Sequence, residues 1–209
     1  MSTPIDLLKY KPAGDKENSA MFETYREKIY EWRLKTGLQE MIKHVRGLVI
    51  QVEFGEAVDY INELYFMTPY RFAAAYRNAS HNIYILTNMH GNEMPAYIVI
   101  EPTKKDFMDS TTRMNLLYPL SKDKPNARYI GELFQVDNKA EVRKTLESHD
   151  ITFHDAQKRG SAIYDNEHFV FTTTSPYSHN RFGYSECDLC DFDSLKLGER
   201  FELSDSEKA

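Results

Sequence analysis

The chain has 209 residues, of which 41% are hydrophobic, and a formal net charge of −6. This length suits one large domain or two small fused halves, and the lack of any Lys or Arg run argues against nucleic acid or an anionic membrane as partner. No segment has the order of a secretion signal or the apolar length of a membrane span, and two cysteines are too few for a disulfide framework. We therefore expect a soluble, cytoplasmic protein.

The amino-terminal region divides into a lead-in and a helical segment. Residues 1–17 mix Pro, Gly, Lys and Asp without a period, which predicts a flexible lead-in. Within residues 18–45, apolar side chains recur at helical spacing between Ser19 and Ile42, and Gly37 is expected to interrupt them. The pattern predicts one long helix or two short ones, docked on the main body without a chemical role.

The main body contains an internal repeat. Gly47–Glu53 and Gly131–Asp137 are both β-rich runs, and the second lies 84 residues after the first. Each run has a glutamine at its fifth position, Gln51 or Gln135, and leads into a helical pattern. The two runs therefore predict two copies of a unit that begins with a strand followed by a helix.

The ends of the two units also match. Tyr97–Glu101 and Phe182–Glu186 each place an aromatic residue four positions before a glutamate, and here the offset is 85 residues. Because side chains alternate along a strand, each aromatic residue should share a sheet face with its glutamate. Further strand candidates lie at residues 71–76, 82–87, 151–154 and 167–173. Each unit is thus predicted to be β-α-β-β-β.

These patterns predict the order of the parts along the chain. The parts are a first module at residues 46–103, a linker at 104–127, a second module at 128–190 and an acidic tail at 191–209. Within the tail, Leu195, Leu197 and Phe201 are candidates for docking on the modules.

A tandem β-α-β-β-β unit whose last strands end in Glu resembles the vicinal oxygen chelate superfamily, which includes glyoxalases, bleomycin-resistance proteins, methylmalonyl-CoA epimerase and extradiol dioxygenases. The resemblance covers roughly Arg46 to Asp188. It is carried chiefly by Gly131–Phe153, similar to that family's opening strand and helix, and by Phe171–Glu186, similar to its closing hairpin. It implies an α+β fold in which two βαβββ modules form a curved-sheet half-barrel, here with an N-terminal helical extension.

The resemblance also implies a site between the modules, where a divalent metal (Mg, Mn, Ni or Zn) would bind two oxygens of a substrate. Carried over by position, the last-strand metal ligands fall on Glu101 and Glu186. The first-strand ligand positions fall on Gly47 and Gly131, which have no side chain to offer.

Other side chains are candidates for the missing ligands. Gln51 and Gln135 lie four residues beyond the two glycines on the same strand face, and a register shift would let them act as neutral oxygen ligands. His44 is an alternative that would need a bulge to face the same way. The four-residue set of two Glu and two Gln would favour a hard cation such as Mg or Mn.

Two further groups are candidates outside the strands. His179 lies in a loop before the last strand and is a candidate acid, base or metal ligand beside Glu101 and Glu186, although a turn histidine is usually an exposed surface residue. His90 is its counterpart in the first module. The pair Cys187 and Cys190 could be half of a zinc site or a redox pair, but no second Cys-x-x-Cys accompanies it.

Three functional hypotheses follow from the sequence. The first is a metal-assisted isomerase, epimerase or lyase that acts on an oxygen-rich small molecule. The second is a metal-free protein on the same fold that binds or sequesters a small molecule, and the missing first-strand ligands favour it. The third is an interaction module whose cavity is filled by its own Tyr and Phe side chains. A homodimer is left open.

Overall fold

The structure is a computed structural model that describes residues 16–91, 94–104, 127–154, 169–176, 178–186 and 197–203. Most of the predicted lead-in and of the linker lies outside these residues, as do Leu195, Cys187 and Cys190. Among the described helices, none is both long and apolar enough to cross a membrane.

The amino-terminal segment forms two helices, α1 (Lys16–Thr36) and α2 (Leu38–Met41). They are separated at Gly37, whose φ of 76° is a left-handed conformation that suits glycine. Trp32 of α1 packs edge-on against His149 with ring centroids 4.3 Å apart, and Leu38 of α2 is fully buried. The predicted interruption and the docking on the body are both confirmed.

The described strands form one open, curved sheet in the order β6-β7-β5-β1-β4-β3-β2-β8. The first module contains helix α3 (Ala57–Met67) and the second contains helix α4 (Lys139–Glu147). The strands are β1 (Ile42–Val52), β2 (Tyr70–Arg77), β3 (His81–Asn88), β4 (Ala96–Pro102), β5 (Ala127–Val136), β6 (Phe169–Phe171), β7 (Arg181–Ser185) and β8 (Glu199–Arg200).

The two first strands join the modules at the middle of the sheet. Strand β1 runs antiparallel to β5, while each pairs in parallel with the last strand of its own module, β4 or β7. The predicted α+β architecture of paired β-α-β-β-β units with a helical extension is confirmed. The predicted strand at residues 151–154 is reduced to a single bridge from Phe153 to Thr172, because only Phe153 of its apolar positions is buried.

The two faces of the sheet carry different side chains. On the helix face, Val99 and Tyr84 pack in one apolar cluster with α3, and Val136 and Tyr184 pack in another with α4. On the opposite side, which we call the inner face, a third apolar cluster runs across both modules. Its members include Val49, Ile85, Ile98, Leu133 and Phe171.

The described part of the tail docks on the first module. Strand β8 pairs with β2, and Leu197 is buried. Phe201 packs beneath the guanidinium of Arg77, 4.7 Å from its ring centroid, and edge-on against Tyr84. The expectation that Leu197 and Phe201 dock is confirmed.

Candidate functional site

The carboxylate of Glu101 is held at the amino-terminal end of α3. Its Oε1 accepts backbone N–H groups from Gly55 at 2.9 Å and Ala57 at 3.2 Å. Its Oε2 accepts from Asn82 Nδ2 at 3.0 Å and from the Tyr84 hydroxyl at 3.2 Å. The side chain is buried, and these four donors satisfy both of its oxygens.

Glu186 occupies the matching place in the second module. Its Oε1 accepts the backbone N–H of Lys139, the first residue of α4, at 2.7 Å, and its side chain is exposed. The amides of Gly55 and Lys139 are themselves 84 residues apart, the offset of the sequence repeat. The repeated carboxylates therefore make the same kind of contact, each at the start of its own module's helix.

A helix begins with backbone N–H groups that have no partner within the helix, and its dipole favours a negative charge there. In the first module the N-cap residue Glu56 makes no capping bond with its side chain, so Glu101 supplies the acceptor from β4. In the second module Asn138 caps α4 by accepting from Glu141 N at 3.0 Å, and Glu186 adds a second acceptor. Helix capping thus accounts for both predicted site carboxylates.

The glutamines lie on the other side of the sheet. Gln51 lies two residues after Val49 on β1, and Gln135 lies two residues after Leu133 on β5. Because side chains two residues apart on a strand share a face, both glutamines lie on the inner face. Gln135 Oε1 accepts from Arg46 Nε at 2.9 Å. Gln51 is buried and pairs across the strands with Arg128.

The structure therefore does not bring the four predicted metal ligands together. Glu101 and Glu186 share the helix face with Val99 and Tyr184, whereas Gln51 and Gln135 share the inner face. A register shift of one residue would be needed to move a side chain to the other face, and the observed pairing of β1 with β4 is regular there. Among the described residues, no group of three or more His, Cys, Asp or Glu could hold a metal ion.

Gly131, one of the two first-strand positions, is a glycine for a packing reason. A Cβ at this residue would lie 1.8 Å from the carbonyl oxygen of Arg181 on the paired strand β7. Any side chain at this position would collide with that backbone. The close approach of β5 and β7 thus excludes a ligand at this position.

The histidine candidates are all at the surface. His179 is exposed, has a φ of 57° and donates its backbone N–H to Ser175 O at 3.0 Å. His44 and His90 are also exposed. Within the described part of the chain, no hydrogen bond joins His179 to Glu101 or Glu186, so its catalytic role stays a prediction.

Comparison with solved structures relates this fold to known proteins. Methylmalonyl-CoA epimerase from Mycobacterium tuberculosis is similar with a TM-score of 0.50 and 11% identity, covering 69% of this chain and 88% of that one. The chain has the fold of the vicinal oxygen chelate superfamily. A 4-hydroxymandelate synthase variant from Streptomyces coelicolor has a TM-score of 0.44 and 14% identity, covering 69% of this chain and 47% of that one. No protein-family model and no curated protein sequence matches this chain.

This vicinal oxygen chelate fold does not by itself supply a metal site here. The predicted ligand set does not fit a divalent cation, because Glu101 already accepts four hydrogen bonds and faces away from Gln51 and Gln135. A cation at Glu101 would have to displace two helix amides, an asparagine and a tyrosine hydroxyl.

The inner face instead presents arginines at the junction of the modules. Arg46 contacts Gln135, and Arg128 is the cross-strand partner of Gln51, so each repeated glutamine meets an arginine from the first strand of the other module. Both arginines are partly buried. Sequence reasoning missed them, because their pairing depends on the antiparallel register of β1 and β5 and on bulges near Arg46 and Ile130.

A group of tyrosines on the helix face was also missed. Tyr70 and Tyr97 pack edge-on with ring centroids 4.6 Å apart. Burial, together with Tyr97 and Glu63, raises the pKa of Tyr60 to about 12. Burial and the hydrogen-bonding neighbour Glu132 raise the pKa of Tyr129. Tyr97 was expected on this face, but its neighbours come from α3, β2 and β5, which no local pattern relates.

Proposed function

We propose that this chain is a small-molecule-binding protein that acts without a metal held by Glu101 and Glu186. One observation carries the proposal: both carboxylates accept backbone amides at helix starts, on the face opposite Gln51 and Gln135. These glutamates are then structural, and ligand recognition falls to other side chains between the modules. A cytoplasmic location and a possible homodimer stay predictions from the sequence.

The inner face suggests the chemistry of the ligand. Arg46 Nε donates to Gln135 Oε1, and Arg128 lies opposite Gln51 in the register of β1 and β5, so an arginine accompanies each glutamine. A guanidinium binds carboxylate or phosphate oxygens through parallel hydrogen bonds and keeps its charge at any physiological pH. We infer that the ligand is a small, oxygen-rich anion, although the chain as a whole is acidic.

The alternative of a protein with a filled interior is favoured by a separate observation. Tyr76, Phe169 and Phe171 are 6% exposed or less and belong to the inner-face cluster. Aromatic rings of this size fill the space that a ligand would otherwise occupy. In this case the chain would serve as an interaction module, and it would bind neither small anions nor apolar dyes.

Ligand binding and calorimetry separate these functions. The wild type and the double variant Arg46→Gln with Arg128→Gln would be titrated with succinate, phosphate and an apolar dye. We expect saturable binding of an anion that weakens about tenfold or more in the double variant, since a charged hydrogen bond contributes about 1.5–3 kcal/mol. The control is Arg26→Gln, an exposed arginine on α1.

The same protein preparation tests the hypothesis that the chain is a metal-assisted isomerase, epimerase or lyase. The metal content of the purified protein and thermal shifts with Mg, Mn, Ni and Zn would be measured for the wild type and for Glu186→Gln. The proposal predicts no stabilisation that depends on Glu186. A stoichiometric metal lost from the Glu186→Gln variant would refute it and restore the enzyme hypothesis.

A further inference from the structure

The described part of the tail, residues 197–203, passes round the outer edge of the sheet. Leu197 is buried in the inner-face cluster, whereas Leu203 is buried in the cluster on the helix face. Between these two residues, β8 pairs with the end of β2, and the backbone N–H of Phe201 donates to Ala75 O at 3.1 Å. We call residues 197–203 the strap.

The strap begins in close contact with the backbone of β2. Gly198 has a φ of 143°, and a Cβ at this residue would lie 2.2 Å from the carbonyl oxygen of Arg77. Next to it, the Asn78 side chain donates to Leu197 O at 3.2 Å. Because no side chain fits between the strap and β2 at Gly198, this glycine determines how closely the strap docks.

A series of contacts leads from the strap to the start of α3. The ring of Phe201 lies under the guanidinium of Arg77 and edge-on against Tyr84. Arg77 Nε donates to Asn82 Oδ1 at 2.8 Å, and Asn82 Nδ2 donates in turn to Glu101 Oε2. The Tyr84 hydroxyl donates to the same oxygen. Both side-chain donors to Glu101 therefore reach Phe201, one directly and one through Arg77.

The helix start of the second module differs in this respect. Within the described part of the chain, Glu186 accepts a hydrogen bond only from the backbone N–H of Lys139. Strand β8 docks on β2 of the first module, so the strap supports only one of the two repeated carboxylates. The amide of Lys139 is therefore an internal reference for any effect of the strap on α3.

The strap has few backbone bonds to the sheet. Strand β8 joins β2 at two residue pairs, Tyr76 with Arg200 and Arg77 with Glu199. Segments with so few backbone hydrogen bonds open locally at a lower free-energy cost than the core of the sheet. The strap is thus an element that can open while the rest of the first module stays folded.

We propose that the strap and the start of α3 open and close as one unit. When the strap lifts, the side-chain donors to Glu101 lose the support of the Phe201 ring. Glu101 then holds the amides of Gly55 and Ala57 less firmly, and the first turn of α3 loosens. The proposal is independent of the inner-face arginines, because β3 and β4 separate β2 from β1 in the sheet.

Amide hydrogen exchange of the full chain, followed by NMR, tests this coupling. Gly198→Ala places a methyl group against the carbonyl of Arg77 and should lift the strap. We expect the amides of Phe201, Gly55 and Ala57 to exchange about tenfold faster or more, and that of Lys139 to change less than about twofold.

The matched control is Gly91→Ala. The φ of Gly91 is 146°, close to that of Gly198, but a Cβ there meets nothing within 4 Å. This variant carries the same backbone strain without the collision, so all four amides should exchange as in the wild type.

A second variant keeps the proposal testable if Gly198→Ala does not fold. Phe201→Leu retains an apolar side chain but removes the ring, and it should accelerate exchange at Gly55 and Ala57 about threefold or more. Unchanged exchange at these two amides in every variant that folds would overturn the proposal. So would equal acceleration at Lys139, which would show a general loss of stability. Exchange in the double variant Arg46→Gln with Arg128→Gln should match the wild type, whether or not an anion binds.

Discussion

The two modules place a glutamate at the same point of the repeat but depend on it to different degrees. In the first module, Glu101 is buried, accepts four hydrogen bonds and replaces a cap that Glu56 does not provide. In the second, Glu186 is exposed, and Asn138 already caps the helix. A matching carboxylate pair in a repeat is therefore explained by the shared need to begin a helix beside the last strand, before any chemistry is invoked.

The largest effect is expected at Glu101. Replacing it with alanine leaves the amides of Gly55 and Ala57, the half-buried Asn82 Nδ2 and the buried Tyr84 hydroxyl without this acceptor. We expect the free energy of unfolding to fall by about 3–4 kcal/mol, measured by urea denaturation. Glu202→Ala is the exposed control. A loss below about 1 kcal/mol would show that the cap contributes little.

The second largest effect is expected at Gly131 of β5, where the strand packs closely against β7. Gly131→Ala would push a methyl group into the backbone of Arg181 and separate β5 from β7. The expected cost is about 3 kcal/mol in the free energy of unfolding. Gly55→Ala, where a Cβ meets nothing within 4 Å, is a control for backbone strain alone because its φ is also positive. Equal costs for the two variants would contradict the close-packing explanation.

A smaller effect is expected at Glu186. Its replacement by alanine removes one exposed acceptor at the start of α4 while the Asn138 cap remains. The free energy of unfolding should fall by about 0.5–1 kcal/mol, measured by urea denaturation at low salt. The double variant with Asn138→Ala should lose more than the sum of the single losses, because α4 then has neither cap. Simple additivity would argue against a shared role.

The weakest expected effect is a dependence on alkaline pH, to which partly buried tyrosines of both modules contribute. Burial raises the pKa of Tyr184 to about 12, and burial with Tyr97 and Glu63 raises that of Tyr60 to about 12. Unfolded tyrosine titrates near about 10, so between these values the folded state binds more protons. This contribution to stability is present below pH ~10 and is lost as the pH rises towards ~12. Urea midpoints should fall over that range, and less so in Tyr184→Phe; an unchanged slope in this variant would contradict burial as the cause.

The fold could be predicted from sequence because its determinants are local and repeated. Hydrophobic alternation marked β1 to β5, Gly37 marked the helix break, and the 84-residue offset related the modules. The face shared by Tyr97 and Glu101 also followed from alternation. These features require no knowledge of which strands pair.

The site could not be predicted in the same way, because it depends on contacts between distant segments. The sequence does not show that Glu101 meets the amides of Gly55 and Ala57, since a carboxylate that ends a strand is equally compatible with a metal or a helix start. It also does not show that Arg46 meets Gln135, which follows only from the bulged pairing of β1 and β5.

The most direct test of helix capping by the repeated glutamates is an amide NMR titration of the wild type with Zn²⁺. We predict that the amide signals of Gly55, Ala57 and Lys139 stay in place throughout, because the carboxylates that they contact are already engaged. Saturable movement of all three signals at one stoichiometric equivalent would contradict this, because it would show that Glu101 and Glu186 leave their helices to bind a metal.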